Sequence, residues 1–393
     1  MTPHSNERTP EGSQRLAHLD GLDGLRGLAI ILVLIHHLTV MDPAGTWEIF
    51  DALTEFSSYG VDLFFVLSGF LIVGGLQREA GAPGWARRFW VKRAAKIAPL
   101  YFAGVALVFL VLPALLSMAG AGAKAATQLT VRGNWPWYTS FGSNILNAID
   151  GRFTNPALDV CWSLALEMQF YLLVAVWVAL RGVPGRRTLG VVLALAMATR
   201  VLAALAGANW ISILVLPWHR LDAFALGAAV ALGYWRWICG YPGRAVCAVV
   251  FAMPFFLPWS REHFWVAALG YTAVALAGAH LVHLASASRP GSFTQAFFVS
   301  RFLRWCGSIS YSVYLTHLPL RAVLRDVFLP YAIRPIAGGS AAAEQAIFYA
   351  VAGATCLLAG WVVWRYFEEP VRQRILSRVL PAVRLSEVAA RAG

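Results

Sequence analysis

Residues 22–40 read LDGLRGLAIILVLIHHLTV, an apolar run interrupted by Arg26 and by the adjacent pair His36 and His37. About 20 such residues cross a hydrocarbon core, so the stretch is predicted to be a membrane-spanning helix. Its ionisable groups then cost about 2.5–3.5 kcal/mol each on insertion scales, which marks them as functional candidates. Arg26 and His37 are eleven positions apart, almost three helical turns. They share one stripe, while His36 points about a quarter turn away. His37 is therefore the stronger candidate, and His36 reads as a packing or hydrogen-bonding histidine.

The rest of the chain repeats this pattern. Of its 393 residues, 59% are hydrophobic and 13% charged, a composition that excludes a soluble globular domain. Ten spans are predicted, at 25–41, 59–76, 97–118, 160–180, 189–206, 219–238, 243–258, 264–285, 306–329 and 346–367, making an all-α polytopic membrane protein. Ten spans put both termini on one side. With that side cytoplasmic, nineteen of the 32 Lys and Arg fall in inside segments, five in outside segments and eight in spans. That bias gives an N-in, C-in topology and explains the net charge of +12 without nucleic acid as a partner. Residues 1–18 are read as a cytoplasmic tail, 19–375 as the transmembrane domain, and 376–393 as a basic cytoplasmic tail against anionic lipid. The first span is read as an uncleaved anchor.

Five scattered cysteines, Cys161, Cys239, Cys247, Cys306 and Cys356, have no metal-ligand spacing and are expected to be free thiols. No nucleophile elbow, GxGxxG, Walker A sequence or HExxH is present, so neither a resident cofactor nor a metal is expected. The outer connection 119–159 contains the aromatic run Asn134-Trp135-Pro136-Trp137-Tyr138 and is a candidate cover for a site.

Depth within the spans is expected to sort the polar residues. At about 1.5 Å per residue, His37, Glu167 and His317 fall near one layer in the middle of the bilayer. Ser310, Tyr314, His317 and Arg321 form a single stripe that must face the bundle interior. Ser163, one turn before Glu167, is placed to orient it. Asp62, Arg220 and Asp222 lie nearer the outer surface, where pairing, hydration and a site are all open readings. A buried histidine with a carboxylate in reach suits general-base work, because the carboxylate fixes its tautomer and stabilises the imidazolium. Arg26 and the basic loop containing Arg87, Arg88, Lys92, Arg93 and Lys96 are on the cytoplasmic face, where the phosphates of an acyl-CoA would need cations.

Seven stretches carry a family resemblance: LDGLRGLAIILVLIHH at 22–37, GVDLFFVLSGFLI at 60–72, FWVKRAAKIAPLY at 89–101, WSLALEMQFYLL at 162–173, RLDAFALG at 220–227, SYSVYLTHLP at 310–319 and WRYFEEP at 364–370. Together the chain closely resembles the acyltransferase family 3 membrane proteins, which O-acylate sugars of lipopolysaccharide, exopolysaccharide, peptidoglycan, glucans and macrolides. The resemblance implies His37 as the base, an essential Arg26, and a cytoplasmic R-x-x-R pair that helps bind the acyl donor. Here that pair is Arg93 and Lys96, and the lysine keeps the charge but loses the bidentate fork. The expectation is thus a bacterial inner-membrane enzyme that moves an acyl group, by default acetyl, from cytoplasmic acyl-CoA to a carbohydrate hydroxyl. His37 and Glu167 are its catalytic pair, Arg26, Arg93 and Lys96 bind the donor, and Asp62, Ser68, Ser163, Arg220, Asp222, Tyr314 and His317 line the site. Membrane lipid and glycan-assembly proteins are the other expected partners. The principal alternative is a proton-coupled transporter of a glycolipid, polyol or acyl group, with the midplane His and Glu residues as its relay. Against it, neither broken helices nor pseudo-symmetric halves are visible. A non-catalytic scaffold is the third reading.

Overall fold

The computed structural model describes residues 10–40, 48–118, 131–256 and 261–380. Among them there is no strand, so the chain is all-α as expected. The first helix, α1 (Pro10–Leu38), continues well before the predicted span, and most of the predicted N-terminal tail beyond residue 9 is helical. Helices α2 (Glu48–Ser57) and α3 (Gly60–Glu79) follow, then α4 (Trp85–Ala106), which runs on through a π-helical turn at Leu107–Val111. The aromatic segment of the outer connection forms the short helix Trp135–Thr139, while residues 119–130 lie outside the described residues. Beyond it come α5 (Cys161–Arg181), α6 (Arg186–Leu205), α7 (Leu221–Ala231), α8 (Tyr241–Ala252), α9 (Tyr271–Ala287), α10 (Arg301–Val323), α11 (Ala341–Val363) and α12 (Glu369–Val379).

Seven helical segments among the described residues are long and apolar enough to cross a membrane: Asp20–Leu38, Phe50–Glu79, Trp85–Ala114, Cys161–Arg181, Arg186–Leu205, Val266–Ala287 and Ala341–Val379. The other three predicted spans differ for identifiable reasons. The one at 219–238 is an eleven-residue helix, α7. It stops where Gly233 takes a positive φ of 71° and Trp235 one of 48°, conformations that no right-handed helix contains. The span at 243–258 is interrupted at Pro254 by the 3-10 turn Met253–Phe255. The span at 306–329 is long enough, 23 residues in α10, but its polar stripe makes it too hydrophilic to pass on composition.

α1 and α10 lie side by side and parallel. Asp20, ten residues into α1, and Arg304, in the first turn of α10, form an ion pair of 2.8 Å, and His37 meets His317 toward the ends of both helices. Glycine makes that approach possible. A Cβ on Gly27 would overlap the carbonyl oxygen of Leu303, and one on Gly307 the carbonyl oxygen of Asp23. Close backbone contact at small residues is how helices associate where lipid is as apolar as leucine.

α3 packs on α7 through the stacked rings of Phe65 and Phe224, 5.0 Å apart. One buried apolar cluster joins α1, α3, α5, α7, α9 and α10. The aromatic segment around Trp135–Thr139 docks on α4, where Tyr101 donates to the carbonyl of Tyr138 at 2.8 Å and stacks on Phe141 at 4.4 Å. At the other end Leu376 and Leu380 pack on Ala95 and Val91 of α4. The predicted C-terminal tail thus begins as a docked helix, and its residues 381–393 lie outside the described residues. All five cysteines are free, three buried and two half-buried.

Candidate active site

A cavity partly open to solvent lies between α1, α3, α4, α5 and α10. Arg26 enters it from α1, Ser68 from α3, Arg93 and Lys96 from α4, Ser163 and Glu167 from α5, and Tyr314 from α10. Seven of the twelve residues singled out in the sequence are therefore brought together. The spacing of α4 explains part of this: Arg93 and Lys96 are three apart, hence on one face. Arg26 is held by Asp23 one turn earlier at 2.9 Å, and the Arg93 guanidinium sits 5.9 Å from the centre of the Tyr171 ring.

Glu167 differs from its expected role. Its Oε1 accepts from the Ser68 hydroxyl and from the Tyr171 hydroxyl one turn further along α5. No hydrogen bond or ion pair joins Glu167 to His37 among the described residues. Ser163 does not orient Glu167 either. Its hydroxyl bonds the Tyr314 hydroxyl at 2.6 Å and the Val160 carbonyl at 3.0 Å.

The histidines form their own group. His37 and His317 are edge to face with ring centres 4.9 Å apart, and His36 is 5.0 Å from His37. His37 Nδ1 lies 3.0 Å from the Val33 carbonyl and His317 Nδ1 3.1 Å from the Val313 carbonyl, each one turn back on its own helix. A carbonyl oxygen only accepts, so each Nδ1 carries the proton and each Nε2 keeps a lone pair. The helix backbone, not a carboxylate, thus sets the tautomer. His317 is fully buried and its Nε2 has no partner. His36 donates through Nδ1 to the Thr54 carbonyl at 3.1 Å, the hydrogen-bonding role read from its phase. Tyr314 connects the two groups: it lines the cavity, and its ring centre is 5.8 Å from that of His317.

Asp62, Arg220 and Asp222 are not in the cavity. Arg220 on the turn before α7 pairs with Asp62 of α3, while Asp222 pairs with Arg200 of α6 at 2.8 Å. All four side chains are buried. Thr272 donates to Asp222 at 2.6 Å, and the Arg220 guanidinium lies 4.0 Å from the centre of the Tyr271 ring. These contacts tie α3, α6, α7 and α9 together, so of the three open readings pairing is the one realised. Arg200 escaped the sequence reading, although a lone arginine in an apolar span was the available signal. Tyr171, Ser310 and Tyr311 also line the cavity without having been singled out as a group.

Asp159, just before α5 and outside the spans, is mostly buried. Burial raises its carboxyl from the ordinary aspartate value to about 6, against the lowering effect of the Asn155 backbone N–H that it accepts at 3.1 Å. Among the described residues no group of three or more His, Cys, Asp or Glu side chains could hold a metal ion.

The family model described as "Acyltransferase domain" matches residues 19–365. Among curated proteins, the peptidoglycan O-acetyltransferase OatA of Listeria monocytogenes is 27% identical over 348 residues, covering 80% of this chain and 51% of its own length. The O-acetyltransferase OatA of Staphylococcus aureus strain NCTC 8325 is 26% identical over 383 residues, covering 91% of this chain and 58% of its own length. The chain therefore spans little more than half of these relatives. No solved structure matches it.

Proposed function

This chain belongs to the acyltransferase family, and we propose that it transfers an acetyl group from cytoplasmic acetyl-CoA to a hydroxyl of an envelope carbohydrate, with His37 as general base. In this proposal the chain crosses the bacterial inner membrane ten times with both termini inside, and the short apolar helices α7 and α8, with the turns that extend them, and the polar-striped α10 supply the other three crossings. The observation that carries the proposal is the His37 ring: its Nδ1–H is bound to Val33 O at 3.0 Å, leaving Nε2 as a neutral base. A base already in the right tautomer needs no rearrangement before taking a proton.

The cavity supports the donor side. Arg26, Arg93 and Lys96 give it three cations, the groups that phosphates require. Arg26 and His37 are eleven positions apart on α1, about 16 Å. That separation suits an elongated donor with anionic groups at one end and a reacting thioester at the other. The acceptor hydroxyl attacks the thioester carbonyl while His37 Nε2 takes its proton. The tetrahedral species then collapses, the carbon–sulfur bond breaks, and His37 returns the proton to the leaving thiolate, giving the acetyl ester and free CoA.

His317 packs against His37 and holds its orientation, and Tyr314 links that pair to the cavity. Glu167 holds Ser68 and Tyr171 at the cavity wall. The naming of relatives for peptidoglycan supports a glycan as acceptor.

The test uses the purified protein in detergent with labelled acetyl-CoA and a carbohydrate acceptor. His37→Gln is expected to abolish transfer while leaving donor binding intact, and Arg93→Gln to weaken donor binding. Transfer retained in His37→Gln would overturn the base assignment, and unchanged donor affinity in Arg93→Gln would overturn the donor site.

A further inference from the structure

Arg321 is the last member of the α10 polar stripe, one turn beyond His317. Its side chain is partly buried, and its Nε is fully buried without a hydrogen-bond partner. Among the described residues no carboxylate pairs with it. Asp326, five residues further on, is bound to Arg325 at 2.8 Å. Other buried or half-buried arginines nearby are matched: Arg261 by Ser58 at 2.5 Å and Glu55 at 3.6 Å, Arg220 by Asp62, and Arg200 by Asp222. Four residues on from His317 in the same helix, Arg321 lies on the face of α10 that carries the histidine, one turn further along.

Direction along the parallel pair α1 and α10 gives this cation its meaning. Arg26, and with it Arg93 and Lys96 across the cavity, lies level with the start of α10, and Arg321 lies past the histidines toward its other end. It is therefore away from the groups proposed to hold the donor phosphates and, in the topology proposed above, on the outer side of His37. A guanidinium whose Nε is buried, and which no carboxylate meets among the described residues, is a site for a ligand anion, because the desolvation of that nitrogen is offset only by an acceptor or a partner of opposite charge.

We propose that Arg321 binds an anionic group, a phosphate or a carboxylate, carried by the carbohydrate acceptor. The four residues from His317 to Arg321 rise about 6 Å. The anion therefore sits on the same sugar as the reacting hydroxyl or on the adjoining one. The proposal rests on the acyl-transfer reading for the identity of the second substrate, whereas the anion site itself is tested separately.

The experiment compares wild type, Arg321→Gln, Arg321→Lys and Arg325→Gln, purified in detergent with acetyl-CoA. Three acceptors are offered: methyl glucoside, methyl glucuronide and glucose 1-phosphate. Wild type is expected to prefer one or both anionic acceptors by at least about tenfold in kcat/KM, the least that a charge-assisted hydrogen bond contributes. Arg321→Gln is expected to lose that preference while keeping its rate on methyl glucoside and its KM for acetyl-CoA. Arg321→Lys should retain part of the preference, and Arg325→Gln all of it. Which anion is preferred distinguishes a phosphate-bearing from a carboxylate-bearing acceptor. Equal losses on all three acceptors, or a wild type indifferent to charge, would overturn the proposal.

Binding of glucose 1-phosphate and methyl glucuronide without acetyl-CoA separates the two readings. Arg321-dependent binding with no acetyl transfer to any acceptor would sink the acyl-transfer reading and keep the anion site. Transfer without Arg321-dependent binding would do the reverse.

Discussion

Asp62→Ala should loosen the packing of α3, α6, α7 and α9 more readily than any change at the cavity, and the cost can be worked from the geometry. Asp62 is 3% and Arg220 0% exposed, and they pair with each other across α3 and the turn before α7. The Nε and Nη1 atoms of Arg220 already lack acceptors. Removing the carboxylate therefore strands a whole guanidinium in the interior, a change that costs about 3–5 kcal/mol. The Tyr271 ring, 4.0 Å from the guanidinium carbon, offsets about 1 kcal/mol of this. The expected net loss is about 2–4 kcal/mol, a shift of roughly 30- to 1,000-fold in the unfolding equilibrium. The assay is SDS titration in mixed micelles, followed by tryptophan fluorescence. The double variant Asp62→Leu with Arg220→Met removes both charges at similar volume and should recover most of the loss. It should also keep acetyl transfer. A single variant within about 0.5 kcal/mol of wild type, the range of an ordinary surface change, would refute the reasoning. So would a stably folded double variant without activity, which would move the pair into the site.

Gly307→Val should force α10 away from α1, because the Asp23 carbonyl occupies the space that a side chain would need; rapid proteolysis and loss of transfer would follow, and a protease-resistant, active variant would contradict the packing. Glu167→Gln keeps an oxygen that can accept from Ser68 and Tyr171, so kcat is expected within about threefold of wild type, while Glu167→Ala loses substantially more. A collapse in Glu167→Gln would instead assign Glu167 a role that needs its charge. Asp159, with its carboxyl raised to about 6 by burial, binds more protons folded than unfolded between about pH 4 and 6. Its contribution to stability is therefore complete at low pH and is lost as pH rises through about 6. Asp159→Asn should flatten that part of a detergent melting profile, and an unchanged slope would contradict the burial.

Much of the fold follows from local pattern. Apolar runs of membrane length are written in consecutive residues, so an all-helical membrane protein could be read directly, and seven of the ten predicted spans meet the criteria of length and composition. The remaining segments were less legible because their limits come from isolated backbone events, at Gly233, Trp235 and Pro254, and from the polarity of α10. Stripe arithmetic singled out His37 and aligned it with Arg26. It also put Tyr314, His317 and Arg321 on one face, as α10 presents them. Depth alone was a weaker guide. Three ionisable residues at one depth on different helices still have a whole circumference on which to miss one another, and Glu167 is turned toward Ser68 and Tyr171.

The amino-acid sequence by itself therefore determined that these helices span a membrane, and which residues each one buries at a cost. Both depend on the 3.6-residue period and on transfer energies, properties of one segment at a time. Only the tertiary structure decided which buried groups meet. It joined His37 to His317, matched Asp62 with Arg220 and Asp222 with Arg200, and left Arg321 without a carboxylate partner among the described residues. Those choices depend on how helices are rotated and how closely they approach. That is set at contacts such as Gly27 with Leu303 and Gly307 with Asp23, between residues that no local pattern connects.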